Sequence, residues 1–381
     1  MSDLKQNEFK LSTAPVVLLG NPGGGKSTSI IEWVRYNCEK NIFQNFNILT
    51  VVFNKNAQTD LSKRMVEFNI KQKVQTFDSL HLEFNMLNDI RVEKPENNSN
   101  NVVNEYYKLH QTRCLENIKR PHTNIDFLQN IKVLIVDEAQ DMNDKNYNLV
   151  KIISDRLNIP VITAGDSNQC IYIDLRGSDP EYMHKFSTNV IKLNINYRST
   201  KPITELSKYF QNENHEMVSV KKVGPLPTYV KSRFKQKIYN HILKSIRKIQ
   251  ESNTIKLSEI CIMTMYKEDG QVINKLLKKD KAFKTNNFNN DNVKIKEDGI
   301  NIMTYYKSKG LEFNTVFLVD FQDIFRVGYI LDNNLKYVGV TRAKEELYMY
   351  YNTYDEKYNK IRKENCLMKT IPRELYNFVE L

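Results

Sequence analysis

Val16-Val17-Leu18-Leu19-Gly20-Asn21-Pro22-Gly23-Gly24-Gly25-Lys26-Ser27 is the stretch that decides the fold. Four apolar residues of strand length run into a glycine loop. Helical spacing starts directly after it, with Ile30, Trp33, Val34 and Cys38 on one face, which makes Trp33 a core residue. Strand, G-x-x-x-x-G-K-S loop and helix in that order make a phosphate cradle, whose glycines let backbone N–H groups turn inward and whose helix end adds partial positive charge. Gly20, Asn21, Pro22, Gly23, Gly24, Gly25, Lys26, Ser27 and Thr28 are therefore the candidate phosphate-binding residues. Lys26 is expected to reach the terminal phosphates, and Ser27 to hold Mg²⁺ through its hydroxyl.

A second apolar strand, Val133–Val136, ends in Asp137 and Glu138. Two carboxylates at the tip of such a strand are costly unless a cation or hydrogen bonds compensate them. Beside a phosphate loop, Asp137 suits the Mg²⁺ shell and Glu138 suits the base that activates a water. A helix cap explains one carboxylate but not both.

Working outward, apolar runs recur at Ile48–Phe53, Val161–Ala164 and Val190–Leu193. A second series follows at Ile260–Met265, Ile300–Thr304, Val316–Val319 and Leu347–Tyr351. Apolar strands separated by helical stretches imply parallel sheets covered on both faces. The reading is α/β, with one domain over 1–193 and another over 194–381. Residues 91–104 read as an exposed loop inside an insertion spanning about 81–130, and 278–299 as a short loop or insertion.

At 381 residues, 40 % hydrophobic and 27 % charged, the chain has the composition of a globular protein with two cores. No apolar run approaches the roughly 20 residues of a membrane span, and no secretory signal is read at the N-terminus. The expected setting is intracellular, nucleus and cytoplasm being indistinguishable. Cys38, Cys114, Cys170, Cys261 and Cys366 lie apart without a C-x-x-C pair, so neither zinc nor a disulfide framework is expected. The net charge of +11 fits a polyanionic partner without requiring one.

Further segments stand in order along the chain: VVFNKNAQTDLSKRM (51–65), VQTFDSL (74–80), VLIVDEAQDM (133–142), VITAGDSNQCIY (161–172), LNINYRST (193–200), INIMTYYKSKGLEFNTVFLVD (300–320) and LKYVGVTRAKEEL (335–347). With the glycine loop, this series resembles the superfamily 1 DNA helicases of the UvrD/Rep/PcrA group. FNK and VGVTRAK are similar to the eukaryotic F-box DNA helicase branch.

The resemblance implies two RecA-like P-loop domains with reduced accessory insertions, and an ATPase that moves along single-stranded DNA, 3′→5′. It assigns Gln169 to γ-phosphate sensing, Tyr197 to stacking on adenine, Arg198 and Arg342 to the transferring phosphate, Glu312 to the ribose and Gln6 to the adenine edge. A guanidinium there offsets the charge that spreads over the phosphate oxygens. For DNA it assigns Phe53, Thr76, Phe77, Tyr172, Arg176 and Tyr306, aromatic faces and cations being what sequence-tolerant single-strand binding needs. Three positions depart from the pattern: Leu175 stands where an aromatic is usual, Tyr306 replaces a histidine, and Thr28 replaces an arginine. An RNA helicase and an ATP-switched binding protein that does not unwind are the alternatives.

Overall fold

The computed structural model describes residues 3–70, 72–93, 100–221, 223–252, 255–280, 283–289, 296–322, 328–355, 360–361 and 367–381. They group into two compact units, residues 1–20 with 25–193, and residues 21–24 with 194–381.

The first unit holds α1 (Leu4–Leu11), β1 (Val16–Gly20), α2 (Lys26–Glu39), β2 (Ile48–Val52), α3 (Lys55–Glu67), β3 (Lys73–Thr76), α4 (Phe77–Leu87), α5 (Asn100–Ile118), β4 (Val133–Val136), α6 (Asp144–Leu157), β5 (Val161–Gly165), the short α7 (Ile173–Arg176) and β6 (Val190–Leu193). Its six strands lie parallel in the order β3-β2-β4-β5-β1-β6. The strand that feeds the glycine loop is thus one strand away from the strand that ends in Asp137 and Glu138, as in a RecA-like core. Successive side chains of a strand point to opposite faces. Val17 and Leu19 accordingly enter one core with Leu134 and Val136, while Val16 and Leu18 enter the other with Ile30, Trp33 and Val34. Trp33 is a core residue, its indole N–H donating to the Ser12 carbonyl at 2.9 Å.

The second unit holds β7 (Ile195–Thr200), α8 (Lys201–Lys208), β8 (Val218–Lys221), β9 (Thr228–Ser232), α9 (Lys235–Ser252), β10 (Ile260–Thr264), α10 (Lys267–Lys279), β11 (Lys284–Asn287), β12 (Gly299–Thr304), β13 (Phe313–Leu318), α11 (Tyr329–Val340), β14 (Ala343–Asn352), the two-residue strands β15 (Tyr354–Asp355) and β16 (Lys360–Ile361), and β17 (Asn377–Glu380). Seven of these strands form a parallel sheet ordered β11-β12-β10-β13-β14-β9-β17. One face packs on α9 and α10 through Ile262, Ile302 and Phe317 against Ile242, Ile246, Ile273 and Leu277.

Two loop readings need correction. Within 278–299, α10 runs on to Lys279 and residues 284–287 form β11, an edge strand of the sheet. Its buried residues are polar, so hydrophobic alternation could not reveal it. Two of them are satisfied by side-chain bonds instead: Thr285 Oγ1 donates to Asn274 Oδ1 at 2.6 Å, and the Asn286 amide donates to the carbonyls of Lys296 and Gly299. Within 91–104, residues from 100 onward begin α5; 94–99 lie outside the described residues. The region 81–130 is also more than an insertion on the surface. Phe84, Cys114, Ile118 and Leu128 belong to the core of the first unit.

The four described cysteines are free thiols; Cys366 lies outside the described residues. Among the described residues, no helix is long and apolar enough to cross a membrane.

Candidate functional site

In the first unit, α2 opens with Gly25 at its N-cap in a left-handed conformation and no side-chain oxygen capping it. The helix end keeps its donors clear of any capping side chain, which suits an anion. Lys26 is buried, and its ammonium donates to the Gly20 carbonyl at 2.6 Å, so the cation lies across its own loop. Ser27 Oγ donates to Asp137 Oδ2 at 3.3 Å. β1 and β4 deliver these two residues from positions 110 apart.

Burial pushes the Asp137 carboxyl up to about 6, with the neighbouring Glu138 charge adding to the rise; the Lys26 ammonium, the Glu138 backbone N–H and the Ser27 hydroxyl oppose it. Glu138 follows in the left-handed region at φ 54°, a conformation that costs a non-glycine residue about 1–3 kcal/mol.

Sequence reasoning missed the residue that holds that carboxylate. Gln140 Nε2 donates to Glu138 Oε2 at 2.5 Å, while Gln140 Oε1 accepts from the backbone N–H of Asp166 at 3.1 Å. Asp166 in turn accepts from Gln169 Nε2 at 3.0 Å. Glu138, Gln140, Asp166 and Gln169 thus form one hydrogen-bonded line across the tips of β4 and β5. Gly165 leaves room for it: a Cβ there would stand 2.4 Å from Gln140 Oε1 and from Met183 Sδ. The only sequence signal was an amide two residues after Glu138.

Thr28, the departure from an arginine, has a guanidinium beside it after all. Arg64 of α3 donates from Nη2 to Thr28 Oγ1 at 2.6 Å. Gln6 accepts from the backbone N–H of Asp3 at the start of α1, and lines a small pocket with Asn7, Lys10, Thr28, Ser29 and Glu32.

The nucleic-acid candidates of the first unit divide. Phe53 and Tyr172 stack with ring centroids 5.2 Å apart, and the Arg176 guanidinium lies 4.9 Å from the first ring and 5.3 Å from the second. Beside Arg176 in the chain, Leu175 is 60 % exposed. Thr76 is buried and caps α4 by accepting from the Ser79 N–H. The Phe77 ring corrects its expectation: it lies in the core with Leu80 and Phe84, because α4 turns its apolar side inward.

In the second unit, Asn196 organises β7. Its side-chain oxygen accepts from the backbone N–H groups of Arg198 (2.8 Å) and Ser199 (3.0 Å). Tyr197, between them, is 38 % exposed. Arg198 Nε donates to Glu312 Oε2 at 2.7 Å, and its Nη1 to the Thr341 carbonyl at 3.1 Å. Glu312 is shared with Lys344 at 3.0 Å. Burial works against its ionisation, but Arg198 and Lys344 outweigh this and hold the carboxyl below its usual range.

Arg342, just past the C-terminus of α11, is buried; Nε donates to the Val338 carbonyl at 2.9 Å, Nη1 to the Leu311 carbonyl and Nη2 to Thr341 Oγ1. A guanidinium suits the unpaired carbonyls and negative end of that helix. Asn21, grouped with this unit, accepts from Tyr337 Oη and Gln211 Nε2. Tyr306 is half-buried in the turn after β12.

Residues 6–174 match the AAA domain family, and residues 191–288 and 282–354 match the UvrD-like helicase C-terminal domain family. The chain is 27 % identical over 380 residues to a putative ATP-dependent DNA helicase of Acanthamoeba polyphaga mimivirus, covering 90 % of this chain and 52 % of that protein. It is 29 % identical over 148 residues to the ATP-dependent DNA helicase PcrA of Leuconostoc citreum, covering 36 % of this chain and 19 % of PcrA. Over 179 residues it is 26 % identical to the ATP-dependent DNA helicase Rep of Buchnera aphidicola, covering 44 % of this chain and 27 % of Rep. The chain therefore spans about half the length of the mimivirus relative and less of the others. The solved structure of PRRSV helicase superposes with a TM-score of 0.45 at 12 % identity, covering 95 % of this chain and 56 % of that one.

Proposed function

We propose, for a chain that belongs to the UvrD-like superfamily 1 DNA helicases, that it hydrolyses ATP and uses the hydrolysis to move along single-stranded DNA in the 3′→5′ direction. The observation that carries the reading is the meeting of Lys26, Ser27, Asp137 and Glu138, which follow two strands of the first sheet, beyond the C-terminal ends of those strands.

Asp137, short of positive charge in its buried position, and the Ser27 hydroxyl beside it offer the hard oxygen ligands that Mg²⁺ takes. The ion would supply charge neutralisation for the terminal phosphates. Lys26 swings its ammonium from the Gly20 carbonyl to those phosphates. Glu138 accepts the proton of the attacking water, and Gln140 holds the carboxylate in place for it. Gln169, at the other end of the hydrogen-bonded line, is placed to sense the terminal phosphate. Tyr197 offers an exposed ring to the adenine. Arg198 and Arg342 serve the transferring phosphate by giving up carbonyl partners they now hold.

For the nucleic acid, the stacked Phe53 and Tyr172 under the Arg176 guanidinium combine aromatic faces with a cation, which is the chemistry of sequence-tolerant single-strand binding. Tyr306, half-buried in the turn after β12, contributes a further contact to the strand, while the Thr76 hydroxyl is taken up in capping α4. DNA is favoured over RNA because the relatives named above are DNA helicases.

The test is ATP turnover with and without single strands. Turnover stimulated by poly-dT more than by poly-U, together with displacement of a strand from a tailed duplex, is expected. Turnover indifferent to any single strand would overturn the motor reading, and stimulation by poly-U alone would turn it to RNA.

A further inference from the structure

We propose that the solvent face of α9 and α10 is a docking surface for the phosphate backbone of double-stranded DNA, a binding function beyond the motor reading.

The charge of the chain is unevenly divided. Residues 1–193 carry 23 Lys and Arg against 23 Asp and Glu, whereas 194–381 carry 33 against 22, so the whole +11 belongs to the second part. A chain-wide preference for lysine would charge both parts alike. Within the second part, residues 221–256 hold ten Lys and Arg and a single acid, Glu251.

The fold gathers much of this charge onto one surface. α9 and α10 lie side by side on the sheet, burying Ile238, Ile242, Ile246 and Ile249 from one and Ile273 and Leu277 from the other. Ion pairs join them near both ends, Lys235 to Asp269 at 2.6 Å and Arg247 to Asp280 at 2.8 Å. Burying the apolar stripe of each helix turns its polar stripe outward. Lys237, Lys244 and Lys248 of α9 and Lys275, Lys278 and Lys279 of α10 are exposed, and among the described residues none of the six has an ion-pair partner. The exposed acids of the two helices are Glu251 and Glu268. The face is thus strongly cationic, the complement of a polyanion.

The side chains between the cations select the form of nucleic acid. Single strands bound without sequence preference need aromatic faces for stacking as well as cations. Tyr239 of α9 is buried, α10 has no aromatic residue, and the exposed rings of Phe234 and Tyr266 precede the two helices rather than lying on them. A duplex asks only for cations, because it presents its phosphates outward at about one charge per 1.7 Å of axis. The 18 residues of α9 extend about 27 Å, a rigid support long enough to meet several of those phosphates.

The experiment is fluorescence anisotropy with a blunt duplex and with oligo-dT over a salt series. No nucleotide is present, so its failure is distinct from failure of the ATPase reading. Wild type is compared with the triple variant Lys244→Ala, Lys248→Ala, Lys275→Ala, and with Lys40→Ala, Lys119→Ala, Lys192→Ala, which removes the same charge from the first unit. The α9–α10 variant should bind duplex roughly 10-fold or more weakly at low salt, its slope of log affinity against log salt smaller by about 0.9 per lysine. The first-unit variant should bind duplex as wild type does, and oligo-dT-stimulated ATP turnover should be unchanged in both. An unchanged slope in the α9–α10 variant would overturn the proposal. Equal losses in the two variants would reduce it to net charge, and a loss confined to oligo-dT would make the occupant a single strand. Wild-type protein that binds phosphatidylserine vesicles but no duplex would make the partner a membrane surface; each of these results refutes duplex docking.

Discussion

Gln140 and Glu138, two residues apart after β4, are joined side chain to side chain at 2.5 Å, and Gln140 is joined in turn to the Asp166 backbone at 3.1 Å. Its amide uses one end as donor and the other as acceptor. It therefore fixes a carboxylate that the left-handed turn at Glu138 would otherwise leave to several rotamers. Gln140 is fully buried, so the line it completes is shielded from competing water.

Gln140→Leu keeps the volume and removes both bonds. On the proposed mechanism, ATP turnover should fall roughly 10–100-fold as the base loses its orientation, with the stimulated rate falling more than the basal one. Steady-state turnover with and without oligo-dT checks this. An unchanged rate would remove Gln140 from the mechanism.

Asp137 gives a pH dependence of definite sign. Its folded pKa of about 6 lies above the ordinary value of 3.8, so the folded state takes up a proton more readily than the unfolded chain. The stability this group contributes is full below about pH 4 and is lost as pH rises through about 6. Asp137→Asn should therefore raise the melting temperature of the nucleotide-free protein at pH 7.5, by the equivalent of roughly 2–3 kcal/mol, with little gain at pH 4.5. The same variant should lose ATP turnover. Equal effects on melting at both pH values would refute the sign.

Arg64→Ala tests the guanidinium that reaches Thr28. A cation at the first turn of α2 acts on bound nucleotide in ground and transition state alike, so KM for ATP should rise roughly 3–10-fold with kcat nearly constant. A fall in kcat at constant KM would contradict this placement.

Leu175→Trp and Arg176→Ala probe the aromatic face. Leu175 is exposed next to the Phe53–Tyr172–Arg176 cluster, and an added ring there should tighten single-stranded DNA binding by about one base stack, roughly 1–3 kcal/mol. Arg176→Ala should weaken binding and reduce the slope of log affinity against log salt by about 1. Fluorescence anisotropy over a salt series reads both, and an unchanged slope would remove Arg176 from phosphate contact.

The sequence by itself determined the parts whose requirements are local. A strand, a glycine loop and a helix must follow one another without a gap, so Val16–Ser27 could be read directly, as could the Asp137–Glu138 pair at the end of its strand. Apolar strands buried on both faces announced two parallel sheets. Tertiary structure alone decided the partners of the polar groups. Arg198 meets Glu312 across 114 positions, Arg64 meets Thr28 across 36, and Gln140 meets Asp166 across 26. Nothing in the residues' own neighbourhoods encodes those distances. β11 stayed hidden for the same reason, since its buried Thr285 and Asn286 are paid for by hydrogen bonds to Asn274, Lys296 and Gly299 rather than by hydrophobic contact. A hydrophobic pattern reports burial in apolar cores; a buried polar group is stable only when the folded chain brings its partner, and that is settled in three dimensions.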